Sequence, residues 1–144
     1  MLLQSWGNKI RVFTAVPVSW ENISFDGLLA AGGFEVSAVR KEGKTQFVQI
    51  KSRAGEPCFV QTEIPNPKIY INGSPVKKMQ ARVVEDGMYQ IALKKGYHVT
   101  FTPIELKKTD LSIEPVPMSE KDCNLFGLNE KIIRLSGYRH YYKK

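Results

Sequence analysis

Residues 33–52 read GFEVSAVRKEGKTQFVQIKS, and this stretch carries the strongest structural signal in the chain. Phe34, Val36 and Ala38 alternate with outward positions, which is the period of a strand with one buried face. Glu42-Gly43 then supplies a tight turn, because glycine adopts positive φ without a steric penalty. The apolar residues of the second half repeat the alternation. The stretch therefore predicts a β-hairpin.

The same signal continues on both sides of this hairpin. Short runs that alternate with period two are separated by glycine and proline turns, so about eight strands are expected in all. In the first run, Ile10, Val12 and Thr14 share a face. The runs outside the hairpin are residues 9–16, 58–64, 69–71, 81–85, 88–93 and 97–101. Because strands do not alternate with helices, we predict an all-β fold, an antiparallel two-sheet β-sandwich.

Residues 24–31 depart from the strand pattern. Phe25, Leu28 and Leu29 lie at helical spacing, and a serine before them is a good N-cap. Gly32-Gly33 follows as a helix stop. The segment therefore predicts one short helix.

The composition changes after residue 103, which divides the chain into two parts. We expect residues 1–103 to form the sandwich and residues 104–144 to form an extended, partly helical, basic C-terminal extension. Its first part has several prolines and suggests a surface strap. A capping box predicts a short helix over residues 119–127. Residues 131–144 carry five basic side chains and no acidic one.

Charge and composition limit the class of protein. The chain has 144 residues and a net charge of +7, with 42% hydrophobic residues, which fits one globular domain. No apolar run is long enough for a membrane helix, and no signal peptide is visible, so we expect a soluble chain with no membrane partner. Cys58 and Cys123 can pair or remain separate thiols. The two histidines and two cysteines have no metal-ligand spacing, so no metal and no cofactor is predicted.

The residue types that catalyse reactions occur in unsuitable places. Glu42, Glu85 and Asp86 fall in hairpin turns, where a carboxylate is ordinarily solvated. His98 takes the outward phase of a strand, and Cys58 has the phase of a small buried residue. No nucleophile-elbow or phosphate-loop motif is present. We therefore predict no catalytic residue.

Two aromatic features could bind a ligand. Trp6 and Trp20 flank the first predicted strand, and tryptophan can stack on sugar rings or pack at a domain interface. The terminal run 138–144 mixes aromatic and basic residues, a pattern that also binds single-stranded nucleic acid. It belongs to no recognised nucleic-acid module, so we expect nucleic acid not to be a partner.

An ordered series of short motifs resembles the C-terminal region of glycoside hydrolase family 95, the α-L-fucosidase-like enzymes. The resemblance covers roughly residues 1–103 and is strongest over residues 1–50. Trp6 departs from the family pattern, which commonly has a histidine there. The motifs are Leu2-Leu3-Gln4-Ser5, Lys9-Ile10-Arg11-Val12-Phe13, Ala15-Val16-Pro17, Ser19-Trp20 and Gly32-Gly33-Phe34-Glu35-Val36.

The resemblance implies a role without catalysis. In such enzymes an (α/α) barrel carries the catalytic acids, and the C-terminal β-sandwich packs against it. The expected function is thus a non-catalytic accessory domain, its partner a glycoside hydrolase catalytic domain or polypeptide, and its interface Leu2, Leu3 and Trp6. The alternatives are a carbohydrate-binding module that binds a glycan through Trp6 and Trp20, and a protein or nucleic-acid interaction domain that uses the basic tail. The family is often periplasmic or secreted in bacteria, but the sequence itself assigns no localisation.

Overall fold

The computed structural model describes residues 1–55, 57–76, 81–85, 87–106 and 111–114. In this part of the chain eleven strands form two sheets. Sheet A has, in spatial order, β1 (Leu3–Trp6), β2 (Lys9–Val12), β6 (Pro57–Gln61), β10 (Met88–Ala92) and β9 (Ala81–Glu85). Sheet B has β3 (Ile23–Ala30), β4 (Phe34–Lys41), β5 (Lys44–Ser52), β11 (His98–Thr102), β7 (Lys68–Ile71) and β8 (Ser74–Pro75). The predicted all-β sandwich of two sheets is confirmed.

The strand pairs are antiparallel with one exception among the described strands. Strands β2 and β6 run parallel, with Ile10 opposite Val60. This pair joins the N-terminal hairpin to the rest of sheet A, because β1 is bonded only to β2 in the sheet order.

The core lies between the inner faces of the two sheets. Val60 of sheet A and Phe101 of sheet B are fully buried and belong to one cluster. Tyr89 on β10 meets Phe101 on β11 across the gap, with ring centroids 5.5 Å apart. Phe13 and Phe25 make an edge-to-face contact at the same centroid distance. The two sheets are therefore held by a continuous apolar and aromatic layer.

The predicted hairpin over residues 33–52 is present as β4 and β5. Phe34, Val36 and Ala38 are buried, as the alternation required. The turn falls at Glu42-Gly43, where both residues have positive φ, 51° and 72°. This element is confirmed in strand bounds, in facing and in turn position.

The predicted helix over residues 24–31 is wrong, and the segment forms the edge strand β3. The pairing register shifts between Phe25 and Leu28, which marks a β-bulge. Phe25 lies opposite the buried Ala38, and Leu28 lies opposite the buried Val36. The extra residue thus gives two positions that lie opposite buried residues a spacing of three, where a regular strand gives two, although Leu28 itself, on the edge strand, is 40% exposed. Because three is also a helical spacing, the bulge produces the sequence pattern of an amphipathic helix.

A buried side chain of the neighbouring strand holds this bulge. Ser37 Oγ accepts a hydrogen bond from Gly27 N at 3.0 Å and donates one to Asp26 Oδ1 at 2.6 Å. Gly27 has φ of 66°, a conformation that favours glycine. Gly32-Gly33, predicted to stop a helix, instead makes the turn between β3 and β4.

Strand β1 is an element that the sequence analysis does not predict. Gly7 and Asn8 join β1 to β2 in a two-residue turn with φ of 62° and 59°, the conformation that suits a tight hairpin. Strand β2 is shorter than expected, because Phe13 adopts φ of 60° directly after it. Thr14, predicted to share the face of Ile10 and Val12, is therefore exposed.

Residues 111–114 run across the outer face of sheet B. Ser24 Oγ on β3 donates a hydrogen bond to Glu114 O at 2.9 Å. Leu111 lines a small cavity of about 100 Å³ together with Thr100 of β11. We call residues 111–114 the strap. The predicted helix at 119–127, the basic run at 131–144 and Cys123 lie outside the described residues.

Candidate functional site

The edge strands of the two sheets meet on one side of the sandwich. Ala31 N, at the end of β3, donates a hydrogen bond to Ser5 Oγ on β1 at 3.1 Å. In the described part of the chain, β1 and β3 each pair with a single neighbour, so each has a free edge. We call this the β1–β3 side, and it includes the connection of residues 13–22 between β2 and β3.

The β1–β3 side is rich in exposed apolar side chains. Val18 is 92% exposed and Leu29 is 66% exposed. Exposed apolar groups that lie together commonly mark an interaction surface. Of the ten large apolar residues exposed in the described chain, five belong to this side, namely Met1, Val18, Trp20, Leu28 and Leu29, and a sixth, Trp6, stands beside it on the outer face of sheet A.

The predicted interface residues Leu2, Leu3 and Trp6 differ in their surroundings. Leu2 and Leu3 are half-buried and pack against the core of the sandwich itself. The carbonyl of Leu2 accepts a hydrogen bond from Phe13 N at 2.9 Å, which fixes the start of β1. Trp6, by contrast, is 67% exposed. The first two residues thus anchor the strand, whereas Trp6 faces solvent.

Trp6 and Trp20 lie near opposite ends of β3. Ser5, next to Trp6, accepts a hydrogen bond from Ala31 N just after β3 ends. Glu21, next to Trp20, accepts one through its carbonyl from Gly43 N, at the turn between β4 and β5 and close to the start of β3. The eight residues of β3 separate these two places by about 25 Å. The structure therefore does not bring the two predicted sugar-stacking residues together.

The outer face of sheet A brings Trp6 together with residues that the sequence analysis does not single out. The inward phase of β2 and β6 is taken by buried apolar residues, so the alternate residues point outward. The pairing registers align them in two rows across the strands. One row contains Trp6, Lys9, Phe59, Gln90 and Arg82, and the other contains Gln4, Arg11, Gln61, Met88 and Glu85, of which Met88 is buried. The parallel register of β2 and β6, which creates these rows, leaves no local signal in the sequence.

Charged side chains make two contacts on this outer face. The Arg11 guanidinium lies 4.7 Å from the centroid of the Trp6 ring, a cation–π distance. Lys9 Nζ lies 3.4 Å from Glu85 Oε1 on β9. In a flat sheet three strand spacings separate β2 from β9 by about 14 Å, so this ion pair crosses over β6 and β10. The outer face of sheet A therefore carries the Lys9–Glu85 ion pair at one position and the Arg11 guanidinium stacked on the Trp6 ring at another.

Cys58 and His98, which the sequence analysis does not predict to be catalytic, occupy structural positions. Cys58 is a free, fully buried thiol, and burial raises its pKa to about 12. Such a thiol is protonated and unreactive at neutral pH. His98 lies at the start of β11, where its backbone N–H donates to Asn72 Oδ1 at 3.0 Å.

Three of the eight carboxylates in the described residues are engaged in surface ion pairs. Glu42 lies exposed at its turn, and Asp86 lies outside the described residues. Three glutamates pair with cations, Glu35 with Arg53, Glu63 with Arg40 and Glu85 with Lys9. Within the ranges that the structure covers, no group of three His, Cys, Asp or Glu side chains is placed to hold a metal ion. The same ranges contain no helix long and apolar enough to span a membrane.

An apolar cleft of about 530 Å³ opens on the side opposite to β1 and β3. It lies between β7 and β8 of one sheet and β9 and β10 of the other, and Ile69, Tyr70 and Val83 are among its lining residues. None of its described lining residues is a carboxylate, a histidine or a cysteine. Its cationic lining residue, Lys68, donates a hydrogen bond from Nζ to Ile104 O at 2.6 Å.

Comparison with known proteins assigns the sandwich to a family. A family model described as "Glycoside hydrolase family 95, C-terminal domain" matches residues 4–101, which span the strands from β1 to β11. No curated protein matches the chain. The match is limited to the C-terminal domain of the family, and no catalytic domain is evident in the 144 residues. From its motifs, its two-sheet fold and this match, the chain belongs to the C-terminal domain family of glycoside hydrolase family 95.

Proposed function

We propose that this chain acts as a non-catalytic accessory domain that packs, through its β1–β3 side, on the (α/α) barrel of a family 95 glycoside hydrolase. The carrying observation is the set of exposed apolar residues on that side, above all Leu28, Leu29 and Trp20. Apolar side chains held at a protein surface gain free energy when a partner removes them from water.

The free edge of β3 also supports the proposal that the β1–β3 side is the docking surface. Edge strands left open invite pairing with other chains, and proteins ordinarily cover or charge them. In β3 the two exposed leucines lie beyond the bulge, near the end of the strand. A partner that covers them would also cover this part of the edge.

The test is binding of the full chain to a separately produced catalytic domain of a family 95 enzyme, measured by titration calorimetry. Leu29→Glu should weaken binding by at least tenfold, because it buries an unpaired charge at the contact. Val83→Glu is the matched control, since Val83 is 62% exposed on β9 at the opposite side. Equal effects of the two substitutions, or no binding by the unaltered chain, would contradict the proposal.

A further inference from the structure

The outer face of sheet A combines features that suit a particular ligand chemistry. Trp6 presents a largely exposed ring at one end of a cross-strand row, and Gln90 stands three strands away in the same row, about 14 Å across the sheet. Phe59 lies between them, half-buried. The row is thus long enough to meet an extended ligand at several points.

The amide side chains of this face have unused hydrogen-bonding capacity. Gln4, Gln61 and Gln90 make no side-chain hydrogen bond to any described residue. Each amide offers one acceptor oxygen and two donor hydrogens. On a half-exposed sheet face they can bond neighbouring hydroxyl groups, which both donate and accept.

Contacts with Arg11 restrain Trp6 in a position that suits stacking on a ligand. Arg11 places its guanidinium over the ring and donates a long hydrogen bond from Nη1 to the Trp6 carbonyl at 3.5 Å. These two contacts restrain the ring on a strand end, and the ring remains 67% exposed. A restrained aromatic ring loses less side-chain entropy on binding than a free one.

The two outer faces of the sandwich differ in whether a described segment of the chain crosses them. The strap crosses the outer face of sheet B and is bonded there through Ser24 and Glu114. Within the described residues no segment crosses the outer face of sheet A. On this face Trp6 is largely exposed, whereas Phe59 and the amides Gln4, Gln61 and Gln90 are half-buried, so the rows are partly open to a ligand in the part of the chain that the structure describes.

We propose that the outer face of sheet A binds an oligosaccharide, with Trp6 stacking on one sugar ring and Gln4, Gln61 and Gln90 bonding the hydroxyls of neighbouring rings. The apolar C–H face of a pyranose matches an aromatic ring, and its rim of hydroxyls matches amides. Arg11 and Arg82 add positive charge, so sugars that carry carboxylates bind more tightly than neutral ones. This inference does not rest on the proposed docking of the β1–β3 side.

Single-stranded nucleic acid is the rival ligand, because it also stacks on aromatic residues. Such sites follow the phosphate backbone with a groove of several cations. Here Lys9 is paired with Glu85, and amides hold the positions between the two arginines. The balance of amides over free cations favours the oligosaccharide.

The test uses the full chain on an array of neutral and uronate-bearing oligosaccharides, followed by titration calorimetry with the best binder of each class and with oligothymidylate. Trp6→Ala should weaken oligosaccharide binding about tenfold through lost stacking. Gln90→Ala should weaken it severalfold through lost hydrogen bonds. Trp20→Ala and Gln46→Ala are controls of the same residue types elsewhere on the surface, and both should bind as the unaltered chain does.

The outcomes separate this site from docking. Binding that is lost in Trp6→Ala, is kept in Leu29→Glu and is tighter for uronate-bearing than for neutral oligosaccharides supports the oligosaccharide site. Tighter binding of the neutral sugars would contradict the role given to Arg11 and Arg82. The proposal is overturned if no oligosaccharide binds, if Trp6→Ala and Gln90→Ala bind like the two controls, or if only oligothymidylate binds with steep salt dependence. If Trp6→Ala does not fold, the difference in affinity between Gln90→Ala and its control Gln46→Ala decides between these outcomes.

Discussion

The bulge in β3 depends on one serine, and replacing Ser37 with alanine should destabilise the whole domain. The hydroxyl is 7% exposed and serves two partners, Gly27 N and Asp26 Oδ1. A hydrogen bond to a charged group contributes about 1.5–3 kcal/mol, and a neutral one about 1 kcal/mol. Because both partners are only partly buried and regain some water contact, we expect a net loss of about 2 kcal/mol.

Thermal unfolding followed by circular dichroism measures this loss. For a domain of this size about 2 kcal/mol lowers Tm by roughly 7–9 °C. Ser24→Ala is the matched control on the same outer face, since its bond to Glu114 O is exposed, and we expect it to cost below about 1 kcal/mol. If Ser37→Ala costs no more than Ser24→Ala, the hydroxyl does not hold the bulge and the account of β3 is refuted.

Three further outcomes are expected. In a Cys123→Ser background, iodoacetamide at pH 8 should leave Cys58 unlabelled until the chain is unfolded, and labelling of the native chain would contradict this. Burial raises the pKa of the folded Cys58 thiol to about 12, whereas an ordinary thiol has a pKa near 9.0. The free energy of unfolding should therefore fall as the pH rises between those two values. Phe13→Ala should cost about 3–5 kcal/mol in urea unfolding, because it empties a buried site against Phe25; a cost below about 1 kcal/mol would show that this contact is dispensable. Glu85→Gln should change stability by less than about 1 kcal/mol, because its ion pair with Lys9 is largely exposed, and a greater loss would mean that the pair holds β9 in place.

The structural elements that can be predicted are those whose sequence signals lie within one short stretch of the chain. The hairpin of β4 and β5 combines strict alternation with a glycine turn, and both signals lie within twenty consecutive residues. The bulge cannot be predicted in this way, because the serine that holds Gly27 lies on the next strand. Strand β1 escapes prediction although Gly7-Asn8 is a hairpin signal, since its half-buried residues show little alternation.

The residues of the candidate surfaces can likewise be predicted from the sequence only in part. The residue type alone makes Trp6 a candidate, but its neighbours on the outer face of sheet A come from β6, β9 and β10. These neighbours are fixed by the order of strands in the sheet, which alternation does not encode. Closeness in sequence suggests that Trp20 acts together with Trp6, whereas the length of β3 separates them.

The parallel pair of β2 and β6 has a consequence for the order in which the domain forms. Ile10 meets Val60 across about fifty residues of intervening chain, so this contact carries a large loop-closure cost and forms slowly. The hairpin of β4 and β5, whose contacts are local, can form without it. During synthesis the first hairpin has no neighbour in its sheet until residues 57–61 have been made. We therefore expect the surface around Trp6 to be among the last parts of the molecule to take shape.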